Sequence, residues 1–120
     1  MLRNIGLILV GVLLVFLAAC SRNDIKSLSK NEVYFFYQDG CPHCQEADLY
    51  IKKNFANAKI KAINIKTPGN LKLFSDAIYA YNITEAAGTP LICMGENYIM
   101  GWGSDDRLKF HKLILPYLGK

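Results

Sequence analysis

Two cysteines two residues apart, Cys41 and Cys44, enclose Pro42 and His43 in the stretch DGCPHCQE. Thiols at this spacing can clip a metal, anchor a haem, close a structural disulfide or exchange electrons. A closed structural zinc site takes four ligands. Beyond the pair and the amino-terminal apolar run, the chain offers only Cys93, His43 and His111, with no second close-spaced couple. Covalent haem attachment needs a histidine directly after the second cysteine, and Gln45 stands there. A bridge closing so short a loop removes little unfolded-state entropy, which makes it a weak staple. A working redox pair fits best, because this spacing beside a strand-helix-strand pattern is a redox signature.

Such a pair needs one sulfur to be a thiolate, and an unperturbed cysteine is only about 3 % thiolate at neutral pH. Cys41 falls at the start of a predicted helix, where unpaired backbone N–H groups and the helix dipole favour negative charge. It is therefore the expected nucleophile. His43 adds a donor and, when protonated, a positive charge within two residues of that sulfur. Cys44, one turn further in, can reach back to resolve a mixed disulfide on Cys41. No metal or organic cofactor is needed, since the disulfide Cys41–Cys44 itself carries the electrons.

The elements that must position these groups follow from periodicity. Residues 33–37, VYFFY, are β-branched or aromatic throughout and read as a strand buried on both faces. Residues 42–55 space Ala47, Tyr50, Ile51 and Phe55 as one helical stripe, with Pro42 at the start. Residues 59–65 read as a second strand. In TPGN, Thr67 is placed to cap a second helix with Pro68 in its first turn, and Leu71, Phe74, Ala77, Ile78 and Tyr81 share a face. PLICM and YIMGW flank a short turn at Gly95, Glu96 and Asn97, which predicts an antiparallel hairpin. Ser104 is the natural cap of a last helix that presents Leu108, Leu113, Leu115 and Leu118. The expected fold is α/β, β-α-β-α-β-β-α, with a four-stranded mixed sheet flanked by helices.

The 120-residue chain is one small domain at most once its amino terminus is set aside. Arg3 precedes an uncharged apolar run over residues 5–19 that is shorter than a usual spanning helix. The run ends in LAAC, which resembles the lipobox of bacterial lipoproteins. That resemblance implies a signal peptide over residues 1–19, lipidation of Cys20 and a polar tether over residues 20–31, with the folded domain at 32–120. It places the domain outside the cytoplasm, lipid-anchored to the cell membrane, on the periplasmic face in a diderm. With Cys20 taken by lipid, Cys41, Cys44 and Cys93 remain: one pair and a bystander. The net charge of +4, with Lys52, Lys53, Lys59, Lys61 and Lys66 scattered, describes a solvated surface and gives nucleic-acid binding no support.

Over residues 33–118 the chain resembles the thioredoxin superfamily, on CPHC after an apolar strand, GTP at residues 88–90 before the hairpin, and the element order. The resemblance implies that Pro90 follows a cis bond opposite the disulfide and, with Thr89, forms a platform for an extended substrate segment. The dipeptide Pro42-His43 is similar to that of DsbA-type periplasmic oxidants. Three features depart from them. No long helical insertion is present, Phe35 stands where many relatives carry a buried acid, and the compact order is closer to glutaredoxins. GWGSDD, residues 101–106, is similar to the glutathione-holding segment of glutaredoxins, although capping explains its Ser104, Asp105 and Asp106. Trp102 suits packing at the strand end, Cys93 a small buried hydrophobe and His111 a surface or packing position.

The expected activity is thiol-disulfide exchange on cysteines of envelope or secreted proteins, with a second protein that resets the redox state. Electron flow toward substrate, as in a glutaredoxin-like or thioredoxin-like reductase, uses the same residues. A non-catalytic binding lipoprotein and a zinc-binding one are the other readings.

Overall fold

The structure, a computed structural model, describes residues 28–119. The expected signal peptide, Cys20 and the tether up to residue 27 lie outside the described residues. Strand β1 (Val33–Tyr37), helix α1 (Pro42–Asn54), β2 (Ile60–Asn64), α2 (Asn70–Ala80), β3 (Leu91–Met94), β4 (Asn97–Met100) and α3 (Ser104–Ile114) follow in the expected order, and a 3₁₀ turn, Leu115–Tyr117, comes last. The sheet order is β2-β1-β3-β4. β1 and β2 are parallel, as a helical crossover requires, while β3 runs antiparallel to both β1 and β4.

Strand alternation divides the core into two halves. Val33 and Phe35 of β1 and Ile92 and Met94 of β3 face α1 and α3, where they meet Ala47, Ile51, Phe110 and Ile114. Tyr34, Phe36, Leu91 and Cys93 point the other way, onto Phe74 and Ala77 of α2. Residues facing both ways are buried, which is why β1 reads as an unbroken apolar run. Side chains such as Phe36 and Phe110, both with no exposed surface, each contribute about 1.5–3 kcal/mol of burial.

Five local expectations are corrected. Thr67 does not cap α2: the Asn70 N–H bonds the Thr67 carbonyl at 3.0 Å, with Pro68 and Gly69 between them and Gly69 at φ 91°. Proline followed by a positive-φ glycine is the pattern of a type II turn, so the TPGN segment turns before the helix starts. Leu71 is exposed, and Leu73 packs in its stead. α3 starts after Gly103, whose N–H donates to the Asp106 carboxylate at 2.7 Å, so Asp106 rather than Ser104 supplies the cap. Leu108 and Leu115 are exposed, whereas Phe110 and Ile114 form the buried stripe. At about 100° per residue Leu108 lies nearly opposite Phe110, which the leucine count overlooked. The hairpin loop holds only Gly95 and Glu96, since Asn97 already pairs with Met94, and Gly95 at φ 60° fits a type II′ turn.

Candidate active site

The end of β1, the start of α1 and the loop before β3 meet at the cysteine pair. Gly40 turns the chain at φ 76°, a conformation costly for other residues, and delivers Cys41 to the N-cap of α1 in an extended conformation. Pro42 occupies the first turn, where a missing N–H costs nothing. The Cys41 sulfur takes the part usually played by a capping oxygen: it accepts the Cys44 N–H at 3.2 Å, and the Cys41 carbonyl accepts the Gln45 N–H at 3.1 Å. Cys41 and Cys44 are joined in a disulfide with Cα atoms 5.2 Å apart. Cys41 is half-buried and Cys44 buried, so only the first sulfur is open to attack.

Thr89 and Pro90 stand against the pair, joined by a cis peptide bond. The Thr89 hydroxyl donates to the Cys41 sulfur at 3.6 Å, and the Thr89 carbonyl oxygen lies 3.6 Å from the same atom. Pro90 is buried, and its carbonyl accepts the Gly101 N–H at 2.8 Å, which ties the loop to the end of β4. Gln38, directly after β1, donates its amide N–H to the Thr89 oxygen at 3.0 Å. Sequence reasoning passed over Gln38 because its partner is 51 residues away and no local pattern marks it.

His43 is exposed on the first turn of α1, its Nδ1 3.9 Å from the Glu46 carboxylate. Among the described residues it makes no hydrogen bond to Cys41. Beside Cys44 a half-open pocket of about 320 Å³ has Phe35, Gln38, Asp39, Asp48 and Lys52 among its lining residues. Phe35 presents no proton acceptor there, and the Asp48 carboxylate is paired with Lys52 at 2.8 Å.

The remaining singled-out residues lie elsewhere. Cys93 is wholly buried in β3 and burial pushes its thiol up to about 12. His111 is exposed and meets Phe55 edge-on at 5.3 Å. Trp102 is buried against Tyr50 and Phe110. Among the described residues no group of three or more His, Cys, Asp or Glu side chains is placed to hold a metal ion, and no helix is long and apolar enough to cross a membrane.

No protein-family model matches the chain, and no curated protein matches it. Among solved structures it is similar to the glutaredoxin grx-1 of Archaeoglobus fulgidus, with a TM-score of 0.53 and 19% identity over 70% of this chain and 86% of that one. It is equally similar to a point mutant of the thioredoxin-like protein BC3987, with a TM-score of 0.53 and 18% identity over 68% of this chain and 97% of the other. The fold is therefore thioredoxin-like, a four-stranded mixed sheet between helices with a CXXC pair at the head of the first helix.

Proposed function

We propose that this thioredoxin-like chain is an extracytoplasmic, lipid-anchored thiol-disulfide oxidoreductase acting on cysteines of envelope or secreted proteins. The observation that carries the reading is the Cys41 sulfur at the N-cap of α1, half-buried and already receiving the Cys44 N–H. A backbone donor and the positive end of a helix dipole favour its thiolate over its thiol. His43, when protonated, adds to the same field.

In the reductive direction the Cys41 thiolate attacks a substrate disulfide, forming a mixed disulfide and releasing one substrate thiolate. Cys44, deprotonated, then attacks the Cys41 sulfur, which closes Cys41–Cys44 and frees the second substrate thiolate. Two electrons pass to the substrate. In the oxidative direction a substrate thiolate attacks Cys41 in the existing disulfide and the same steps run backward. Thr89 and Pro90 form the surface on which an extended substrate segment lies. A separate redox protein restores the starting state, and the anchor at Cys20 confines the exchange to the membrane surface.

Trapping tests the exchange. A full-length Cys44→Ser chain retains the nucleophile and lacks the resolving thiol, so it should accumulate mixed disulfides with envelope proteins. If Cys44→Ser trapped nothing while keeping the fold, the non-catalytic reading would replace this one. Redox titration then fixes direction. The Pro42-His43 dipeptide supports a potential toward that of the strong oxidants, about −120 mV. The compact element order, with no helical insertion, favours a reductase, for which a value near about −270 mV is expected.

A further inference from the structure

We infer that Gln38 is a positioning residue that aims the Thr89 hydroxyl at the Cys41 sulfur and thereby helps to set the acidity of Cys41. The inference rests on Cys41 being the exchanging thiol. A hydroxyl has one proton and two lone pairs. The Gln38 amide N–H, 3.0 Å from the Thr89 oxygen, occupies a lone pair and leaves the proton for the sulfur at 3.6 Å. When the disulfide is reduced and Cys41 ionises, that contact becomes a charge-assisted hydrogen bond.

The need for such aiming is visible at the same atom. The Thr89 carbonyl oxygen also lies 3.6 Å from the Cys41 sulfur and opposes a negative charge there, although a neutral thiol could donate to it. With the hydroxyl turned away, the thiolate would face that oxygen with only the Cys44 N–H as partner. Gln38 is half-buried, and it joins the end of β1 to the loop before β3. The amide therefore restricts the hydroxyl rotor where solvent access is reduced.

The test is the pH profile of Cys41 alkylation in the reduced full-length chain, read by mass spectrometry of the Cys41 peptide. Gln38→Ala should move the midpoint upward and lower the rate below it roughly three- to tenfold. Thr89→Val should do the same, Thr89→Ser should retain the wild-type midpoint, and Gln38→Ala in the Thr89→Val background should add nothing. Gln38→Glu keeps a polar tie yet accepts the hydroxyl proton, so it should raise the midpoint by more relative to the wild-type parent than relative to the Thr89→Val parent.

A downward shift in Gln38→Ala would mean that the amide had been holding the hydroxyl proton itself, and would overturn the inference. So would an unchanged midpoint accompanied by a loss of thermal stability, which is what a purely structural tie predicts. An equal Gln38→Ala effect in the Thr89→Val background would also overturn it. The midpoint is read on the protein alone. A wild type that exchanged no disulfides would sink the proposed function and still leave the Gln38 comparison decisive.

Discussion

Cys41 and Cys93 carry the same thiol into opposite surroundings. Cys41 stands at the head of a helix, half-buried, with a backbone N–H at 3.2 Å and a hydroxyl at 3.6 Å directed at its sulfur. Cys93 lies inside the sheet among Tyr34, Phe36, Phe74 and Leu91, with no exposed surface, and its thiol is held neutral by burial. In this fold the reactivity of a thiol is set by where the backbone donors point. The strand that buries Cys93 has already committed its N–H groups to the sheet.

The sharpest way to break that contrast is substitution. Cys41→Ser should reduce disulfide exchange to the uncatalysed level in an assay with a model disulfide and thiol. Cys93→Ala should leave the rate at its wild-type value. Loss of exchange in Cys93→Ala, with the fold intact by circular dichroism, would show that the buried thiol takes part.

Alkylation of the reduced, folded chain gives the next largest effect. At neutral pH a thiol whose pKa is pushed up to about 12 has roughly a thousandfold less thiolate than an unperturbed cysteine. Cys93 should therefore be labelled at least about a thousandfold more slowly than Cys41 until the protein is unfolded. Comparable rates at the two positions would mean that β3 opens readily enough to release Cys93 to solvent.

How much of this was legible in the sequence follows from the range of each interaction. β1 is seen whole because VYFFY is apolar on both faces, and the order of elements follows from periodicity and turn residues. Cys41 at the helix start is also local information. The misreadings were places where two local rules competed. Thr67 had the chemistry of a cap, yet Pro68-Gly69 had that of a turn, and the turn prevailed. Ser104 was a good cap, but Asp106 reaches the Gly103 N–H directly. In α3 leucines suggested the buried face, whereas Phe110 and Ile114 fit the space left by Phe55 and Trp102. Gln38 was not legible, since its bond to Thr89 exists only after the sheet has brought the two loops together.

Alkaline unfolding sharpens the contrast from the side of stability. In the unfolded chain Cys93 ionises near its ordinary value of 9.0, while in the folded chain burial keeps it protonated up to about 12. Below pH 9 both states hold the proton and the stabilisation is fully present. Between about 9 and 12 the unfolded state binds fewer protons, so stability falls as pH rises, by on the order of a few kcal/mol. Cys93→Ala should remove the part of that slope that sets in near pH 9 in denaturant titrations, at a pH-independent cost of about 1–2 kcal/mol for the lost packing. An unchanged slope would mean that Cys93 is not the group responsible.

A smaller contribution comes from Tyr81, whose hydroxyl donates to the Gly95 carbonyl at 2.7 Å. Burial, with the nearby Cys93 next in importance, raises its pKa from 10.0 to about 12. By the same sign its contribution is present below pH 10 and is lost as pH rises toward 12. Tyr81→Phe should cost about 1 kcal/mol at neutral pH through the lost hydrogen bond and should flatten only the upper part of the alkaline decline. Onset near pH 9 then belongs to Cys93 and the later fall to Tyr81. If Tyr81→Phe abolished the early onset as well, the two groups would be titrating as a coupled pair. The contrast with Cys41 would then rest on a buried Cys93–Tyr81 couple rather than on the isolated thiol.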